Sequence, residues 1–253
     1  MNVTVKEPQA YSEEAHAAFE KLDAKVKAIF NQVLAWRGWQ LAQSPATPKE
    51  KIVALVREVF RSVAMYQPHT TEAGFHMLGR LPKGEVRLIQ ALCSHKAEEA
   101  EHGIWAAEDQ GKLGGSRAAT PPSPATFAVA AVWWRMAETE DPLGYLGAEY
   151  LFEELTALVG NALMPVIESR DLPRDGFRFI IEHATEDVKH AMFLKHLILD
   201  VATRYPHSIE SMFRCFDYFH QVYPLPVWNE AFQRAGLEQS AAALAFAGGI
   251  GEL

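Results

Sequence analysis

The stretch IIEHATEDVKHAMFL, residues 180–194, predicts a packed helix and indicates the chemistry. At about 100° per residue on an α-helix, His183, Asp187 and His190 fall within about 60° of one another, so two imidazoles and one carboxylate form a single stripe. Apolar residues flank this stripe and predict a packed helix: Ile180, Ile181, Val188 and Leu194. Each of the three groups costs free energy to bury unpaired, which favours a metal site over structural histidines; a solvated face is the alternative.

Helix starts occur along the rest of the chain, and strand signals are nearly absent. Capping side chains precede prolines at Thr47-Pro48, Ser123-Pro124 and Asp141-Pro142, and Asp175 follows the break at Pro173. Apolar residues recur every three or four positions between these starts. We predict one all-α domain over residues 1–253, with helices at 12–42, 48–80, 84–111, 124–138, 142–169, 175–203, 207–222 and 227–246.

Composition narrows the classes of function. The 253 residues carry a net charge of −8 without a Lys/Arg block, so nucleic acid is not an expected partner. The N-terminal segment has no apolar core typical of a signal peptide, and the longest mostly apolar stretch, 125–136, is too short to cross a bilayer. The two cysteines, Cys93 and Cys215, form no CxxC pattern. We therefore expect a cytoplasmic protein without a membrane partner.

A second set of polar groups lies in the stretch HKAEEAEH, residues 95–102. The seam formed by steps of four and three residues starts apolar, becomes polar at His95 and continues through Glu99 and His102. Glu99-x-x-His102 has the spacing used in helical di-iron carboxylate sites, and Glu98 is an alternative to Glu99. The other interpretation of this stretch is an acidic, solvated run.

Two further segments offer similar groups. Glu149 and Glu153 share a face of an otherwise apolar helix, where a buried carboxylate needs a cation as partner. Taken alone, that segment favours an exposed acidic stripe on an amphipathic helix. His69, Glu72 and His76 share a helical face as well, but this is the weakest group of the four.

The four segments together are more informative than any one of them. Separate predicted helices each offer carboxylate and imidazole groups at helical spacing, and oxygen and nitrogen ligands without thiolate suit iron or manganese. Six or seven such ligands suit two metal ions better than one.

The chain resembles the heme-oxygenase-like di-iron oxidases and oxygenases, also grouped as iron-containing redox enzymes. The resemblance lies in His183-xxx-Asp187-xx-His190-Ala191, in Gly147-xx-Tyr150-xx-Glu153, and in Glu99-xx-His102 followed by Trp105 and Asp109. It implies the seven- to eight-helix bundle of heme oxygenase and thiaminase II. It also implies metal ligands, carried over as Glu99, His102, Glu153, His183, Asp187 and His190. The family has another carboxylate on the preceding core helix, for which Glu72 is the candidate.

This resemblance implies an O₂-dependent oxidoreductase with two Fe(II) ions. Glu99, Glu153 and Asp187 would be its catalytic carboxylates, and the substrate would be a small molecule such as an amine, an amino acid or a fatty acid. An external reductant and a homodimer are compatible with the sequence. One alternative is a metal-free hydrolase resembling thiaminase II, with Cys93 as nucleophile. The other is a non-catalytic iron-binding protein. Heme oxygenase itself is disfavoured, because crowded carboxylates oppose an anionic porphyrin.

Overall fold

The computed structural model describes residues 10–116 and 120–238, which form helices and loops without a strand. In chain order the helices are α1 (Glu13–Ala35), α2 (Arg37–Gln43), α3 (Lys49–Leu78), α4 (Val86–Glu99), α5 (His102–Lys112), α6 (Pro124–Thr139), α7 (Tyr145–Ser169), α8 (Arg178–Arg204), α9 (Ser208–Val222) and α10 (Leu225–Arg234). A 3₁₀ turn, Arg174–Gly176, precedes α8. The prediction of an all-α fold is confirmed.

Two of the predicted helices are each divided into a pair. The predicted helix 12–42 breaks at Trp36, whose backbone is extended (φ −67°, ψ 137°). The predicted helix 84–111 breaks at Ala100, whose N–H bonds to the carbonyl of Ala97, three residues back, and this tightens the chain between α4 and α5. Hydrophobic periodicity continues through both breaks, so it did not reveal them.

Some predicted helix ends also differ. Helix α8 begins at Arg178, because Asp175 lies in the 3₁₀ turn. The predicted helix 227–246 ends at Arg234, and Gly236 follows it with a positive φ of 69° that stops the helix. Its predicted part from 239 onward lies outside the described residues. Thr47 does not cap α3; Pro48 occupies the N-cap position.

The core is built around α7, which is apolar on most of its circumference and is buried among other helices. It packs most extensively against α8, then against α9 and α1, while α3 packs against α5 and α6. Gly147 permits the close approach of α7 and α9, since a Cβ there would collide with the backbone carbonyl of Met212. This arrangement holds α7 and α8 side by side, with α3 and the α4–α5 pair nearby.

One helix in the described part of the chain, α7, is long and apolar enough to cross a membrane by length and composition. The core helix of a soluble protein satisfies the same criterion, and 56% of the relevant window is buried. The property is weak support for a membrane span.

Candidate metal centre

Six side chains that the resemblance implies as ligands converge inside the bundle. Helix α8 contributes His183, Asp187 and His190, α7 contributes Glu153, and the junction of α4 and α5 contributes Glu99 and His102. All six are buried. The stripe predicted on α8 therefore faces the interior, and the solvated alternative does not hold for it.

The first group of possible ligand atoms contains His95, Glu99, Glu153 and His190, with one atom from each lying within 4.8 Å of the others. Nδ1 of His190 is 3.4 Å from a carboxylate oxygen of Glu99 and 3.4 Å from one of Glu153. Nε2 of His95 is 3.3 Å from the other oxygen of Glu153. Two carboxylates and two imidazoles thus surround one small space.

The second group contains Glu99, His102 and His183, again within 4.8 Å of one another. Nδ1 of His102 is 2.8 Å from Oε2 of Glu99, and Nε2 of His183 is 3.0 Å from that same Nδ1. Glu99 belongs to both groups, so one carboxylate connects two adjacent sets of donors. Asp187 belongs to neither, but its Oδ1 is 3.8 Å from Nδ1 of His190.

Several buried polar atoms at the centre have no hydrogen-bond partner. They are Oε1 of Glu99, Oε1 of Glu153, both carboxylate oxygens of Asp187, Nδ1 of His190 and both ring nitrogens of His95. Buried polar groups are ordinarily paired, and an unpaired buried carboxylate is costly. The donor set is oxygen and imidazole nitrogen, which suits iron. The residues present therefore fit a bound iron ion.

The charges at the centre are strongly coupled. Burial opposes ionisation of Glu99, but the hydrogen bond from His102 and the nearby imidazole of His190 outweigh it and hold the pKa of Glu99 well below its usual range. Burial and the charge of Glu99 likewise oppose ionisation of Glu153, yet the adjacent imidazoles of His190 and His95 lower its pKa to about 2. Burial favours neutral His190, but the adjacent carboxylates of Glu153 and Glu99 raise its pKa to about 11. Without a metal, a protonated His190 supplies part of the missing positive charge.

The pKa values of two other groups at the centre shift in the opposite directions, upward for a carboxyl group and downward for an imidazole. Burial and the charges of Glu153 and Glu99 raise the pKa of Asp187 well above its usual range. Burial and the neighbouring His102 lower the pKa of His183 to about 4, so His183 is neutral. Nδ1 of His183 lies 2.5 Å from the carbonyl oxygen of Phe179 and donates to it, which leaves the Nε2 lone pair directed at the cluster.

Helix α8 is held at its start by Asp109 of α5. No side chain at the N-cap Phe177 bonds to the backbone. Instead, the Phe179 N–H donates to Oδ2 of the buried Asp109 at 2.7 Å. A carboxylate at a helix N-terminus is favourable, and this one ties the helix that bears His102 to the helix that bears His183.

The other residues that the sequence offered as possible ligands lie outside the centre. Glu72 is on the surface of α3, with 63% of its side chain exposed, and Nδ1 of His69 lies 3.7 Å from its carboxylate. The structure does not bring Glu72 to the centre, because it lies on the face of α3 turned toward solvent. Glu98 is 61% exposed and reaches only the outer nitrogen of His190, at 3.1 Å, so Glu99 is the residue inside. His76 contacts Trp134 instead.

Three buried residues near the centre were not assigned there from sequence. Gln67 of α3 donates from Nε2 to Oε2 of Glu99 at 3.1 Å, so the preceding core helix contributes an amide. His95 lies on the polar seam of α4, and that seam was the signal that could have placed it in the ligand set. Lys96 is buried and bonds to Oε1 of Glu149, so the cation that Glu149 needs is a lysine of the chain.

An apolar cavity of about 120 Å³ extends from the centre between α3, α7 and α8. Glu99, Glu153, His183 and Asp187 line one end. The remaining wall is mainly aliphatic and aromatic and reaches Trp36 between α1 and α2, three residues of α2 and Trp228 of α10.

The comparisons with known proteins agree with this architecture. Residues 57–223 match the sequence profile of a family described as iron-containing redox enzymes. A domain of unknown function with a heme oxygenase-like fold from Shewanella denitrificans OS217 superposes with a TM-score of 0.74, at 20% identity, covering 88% of this chain and 95% of that one. A CADD-like protein of unknown function from Nostoc punctiforme PCC 73102 gives 0.58 at 18% identity, covering 86% and 97%.

No curated protein matches the chain in sequence. At these identities the two solved structures show the fold alone, which is heme oxygenase-like. The profile covers more than half of the chain, including all six converging residues. The chain belongs to the family of iron-containing redox enzymes.

Proposed function

We propose that the protein is a non-heme di-iron oxidase or oxygenase that uses O₂ to oxidise a small molecule. One observation carries the proposal: two adjacent groups of buried donor atoms share the carboxylate of Glu99. A carboxylate common to two sets of donors suits a pair of ions, as in other helical di-iron carboxylate proteins.

The residues that would hold iron follow from these groups. Glu99 would be common to both ions; His102 and His183 would serve one, and Glu153 and His190 the other, with Asp187 beside His190. Bound Fe(II) would supply the electrons for reduction of O₂. The remaining contributions belong to the chain: Gln67 fixes the orientation of Glu99, and the carbonyl of Phe179 fixes the tautomer of His183.

The carboxylates also prepare the site for cations. Glu99 and Glu153 are held ionised inside the bundle, and an unpaired Asp187 adds a third acid. Binding of a cation would release the proton that His190 holds in its absence, because a ligand imidazole must be neutral. Proton release on metal binding is therefore part of the proposal.

The decisive experiment is anaerobic loading with Fe(II), followed by metal analysis and by optical spectra and O₂ consumption after exposure to O₂. The proposal expects about two irons per chain and iron-dependent O₂ consumption. Iron uptake without O₂ reaction would favour the non-catalytic iron-binding alternative. The thiaminase-like alternative has less support, since Cys93 neither lines the cavity nor belongs to a ligand group.

A further inference from the structure

The cavity beside the metal centre is long and has chemically different ends. Its wall along α3 runs from Ile52 to Gln67, which is about 22 Å at roughly 1.5 Å per residue. Along α7 it runs from Glu153 to Leu163, about 15 Å on the same basis. The acidic and imidazole groups occur only at the Gln67 and Glu153 end, and the far end is formed by apolar side chains and tryptophans.

Four polar side chains along the wall are already engaged. The hydroxyls of Tyr66 and Tyr223 hydrogen-bond to one another. The hydroxyl of Thr156 donates to the carbonyl of Phe152 at 2.7 Å, and Nε1 of Trp36 donates to Asn229 at 2.9 Å. These groups are therefore occupied within the chain, and a polar group of a ligand would have to displace an internal hydrogen bond to be satisfied there.

The charged side chains that line the cavity are also distributed unevenly along it. Among the residues that the structure describes, no lysine or arginine lines the cavity. Its acids, Glu99, Glu153 and Asp187, all lie at the metal end. An ω-amino acid, which has one charge at each end, would find no counter-charge for the charge away from this end, and burying an unpaired charge is costly. An unbranched hydrocarbon segment needs none.

We infer that the substrate is an elongated aliphatic molecule with a single polar end group, which lies at the metal centre while the hydrocarbon chain occupies the groove between α3 and α7. This inference rests on the proposed function for the reaction itself, but the binding preference stands on the cavity. Among the amine, amino acid and fatty acid substrates that the family resemblance leaves open, it selects those with one long aliphatic chain and all polar groups at one end.

The test measures binding, so it does not depend on turnover. Metal-free protein is titrated with n-alkanols of increasing chain length by calorimetry. Each added methylene should tighten binding by about fourfold until the cavity is filled, after which affinity levels off. Zinc-loaded protein is then titrated with an n-alkanoic acid, an n-alkylamine and the ω-amino acid of equal length. The ω-amino acid should bind at least about tenfold more weakly than the better of the other two, because its second charge would be buried.

Two variants locate the hydrocarbon chain. Val56 lines the cavity about 16 Å along α3 from Gln67, and Val56→Phe should make the affinity level off at a shorter chain while short alkanols bind as before. Val53→Phe is the matched control, since Val53 lies on the same helix but lines a separate surface depression. Should Val56→Phe fold poorly, Leu163→Ala tests the same point by moving the plateau to longer chains.

The outcomes separate the two proposals. Affinity that does not depend on chain length, an ω-amino acid that binds as well as the others, or a plateau moved by Val53→Phe but not by the cavity variants would overturn the inference. These results would leave the di-iron proposal standing if iron and O₂ chemistry are present. A clear chain-length series in a protein that takes up no iron would overturn the di-iron proposal and keep the ligand class.

Discussion

Glu149 and Glu153 lie one helical turn apart on the same face of α7, and both are buried, yet their surroundings differ. Glu149 bonds to the ammonium group of Lys96. Within residues 10–116 and 120–238, no lysine or arginine is bonded to Glu153, which faces His95 and His190. Each of the two glutamates has one oxygen without a hydrogen-bond partner. A carboxylate bonded to a cation of the chain is a structural element, whereas one that faces imidazoles and a second carboxylate is a place for an external cation.

The largest effect expected from this comparison concerns the Glu153 side. His190→Ala should abolish iron-dependent O₂ consumption, since even residues behind the ligands typically contribute about 10–100-fold to metal affinity. The helical fold should persist, because many apolar contacts elsewhere stabilise it. Iron stoichiometry and circular dichroism measure both effects, with the exposed Lys189→Ala as control. Iron binding and O₂ reaction equal to wild type in His190→Ala would contradict the assignment of the centre.

The Glu149 side should respond in stability instead. Lys96→Met leaves Glu149 buried without its cation and should cost about 3–5 kcal/mol of unfolding free energy. The double variant Lys96→Met/Glu149→Leu should recover most of this loss and still bind iron. Urea denaturation of the three proteins checks the prediction. Unchanged stability in Lys96→Met would show that the buried Glu149 does not depend on Lys96, and would contradict the contrast that we draw between Glu149 and Glu153.

A smaller effect is expected where α3 supports the centre. Gln67→Ala removes the amide that holds Glu99 and should weaken iron affinity by about tenfold. Glu72→Ala, on the exposed side of the same helix, should leave affinity unchanged. Competition with a chelator measures both. The opposite ranking would restore Glu72 as the ligand of the preceding helix.

The ion pair between Arg204 and Glu85 lies near the surface, and its effect on stability should be smaller than that of the buried Lys96–Glu149 pair. Hydrogen bonds from Arg204 and Tyr205 lower the pKa of Glu85. Because the folded-state pKa is lowered, the stabilisation is present above the unfolded-state pKa and disappears as the pH falls through the folded-state value. Glu85→Gln should therefore cost at most about 1 kcal/mol near neutral pH. The difference from wild type should vanish in acid, and a difference that persists there would rule out this origin.

For the two cysteines we expect no effect on turnover. Replacement of Cys93 and Cys215 by serine should preserve iron-dependent turnover, because the proposed reaction needs no thiolate. Burial raises the pKa of Cys215 to about 12, which keeps its thiol protonated. Turnover assays on folded, iron-loaded variants decide the matter. Loss of turnover in Cys93→Ser with iron uptake intact would favour the thiaminase-like mechanism.

Much of the fold was accessible from sequence, because three- and four-residue periodicity reports directly on helical packing. The breaks at Trp36 and Ala100 were not, since the apolar pattern continues across both. The stripe of His183, Asp187 and His190 was equally readable, because helix geometry alone places them on one face. Glu72 was misplaced for the complementary reason: a face shared within one helix does not say whether that face is turned toward the core or toward solvent.

The helical class and the donor groups on each helix could be predicted from the amino-acid sequence, because these depend on spacing within one element. The family followed from the resemblance of three motifs to those of known proteins. Only the tertiary structure decided which donors meet. It assigned Lys96 to Glu149, brought Gln67 and His95 to the cluster, and made Glu99 common to both groups of donors. Contacts between residues distant in sequence depend on how helices pack against one another, and single-helix periodicity contains no information about the partner helix.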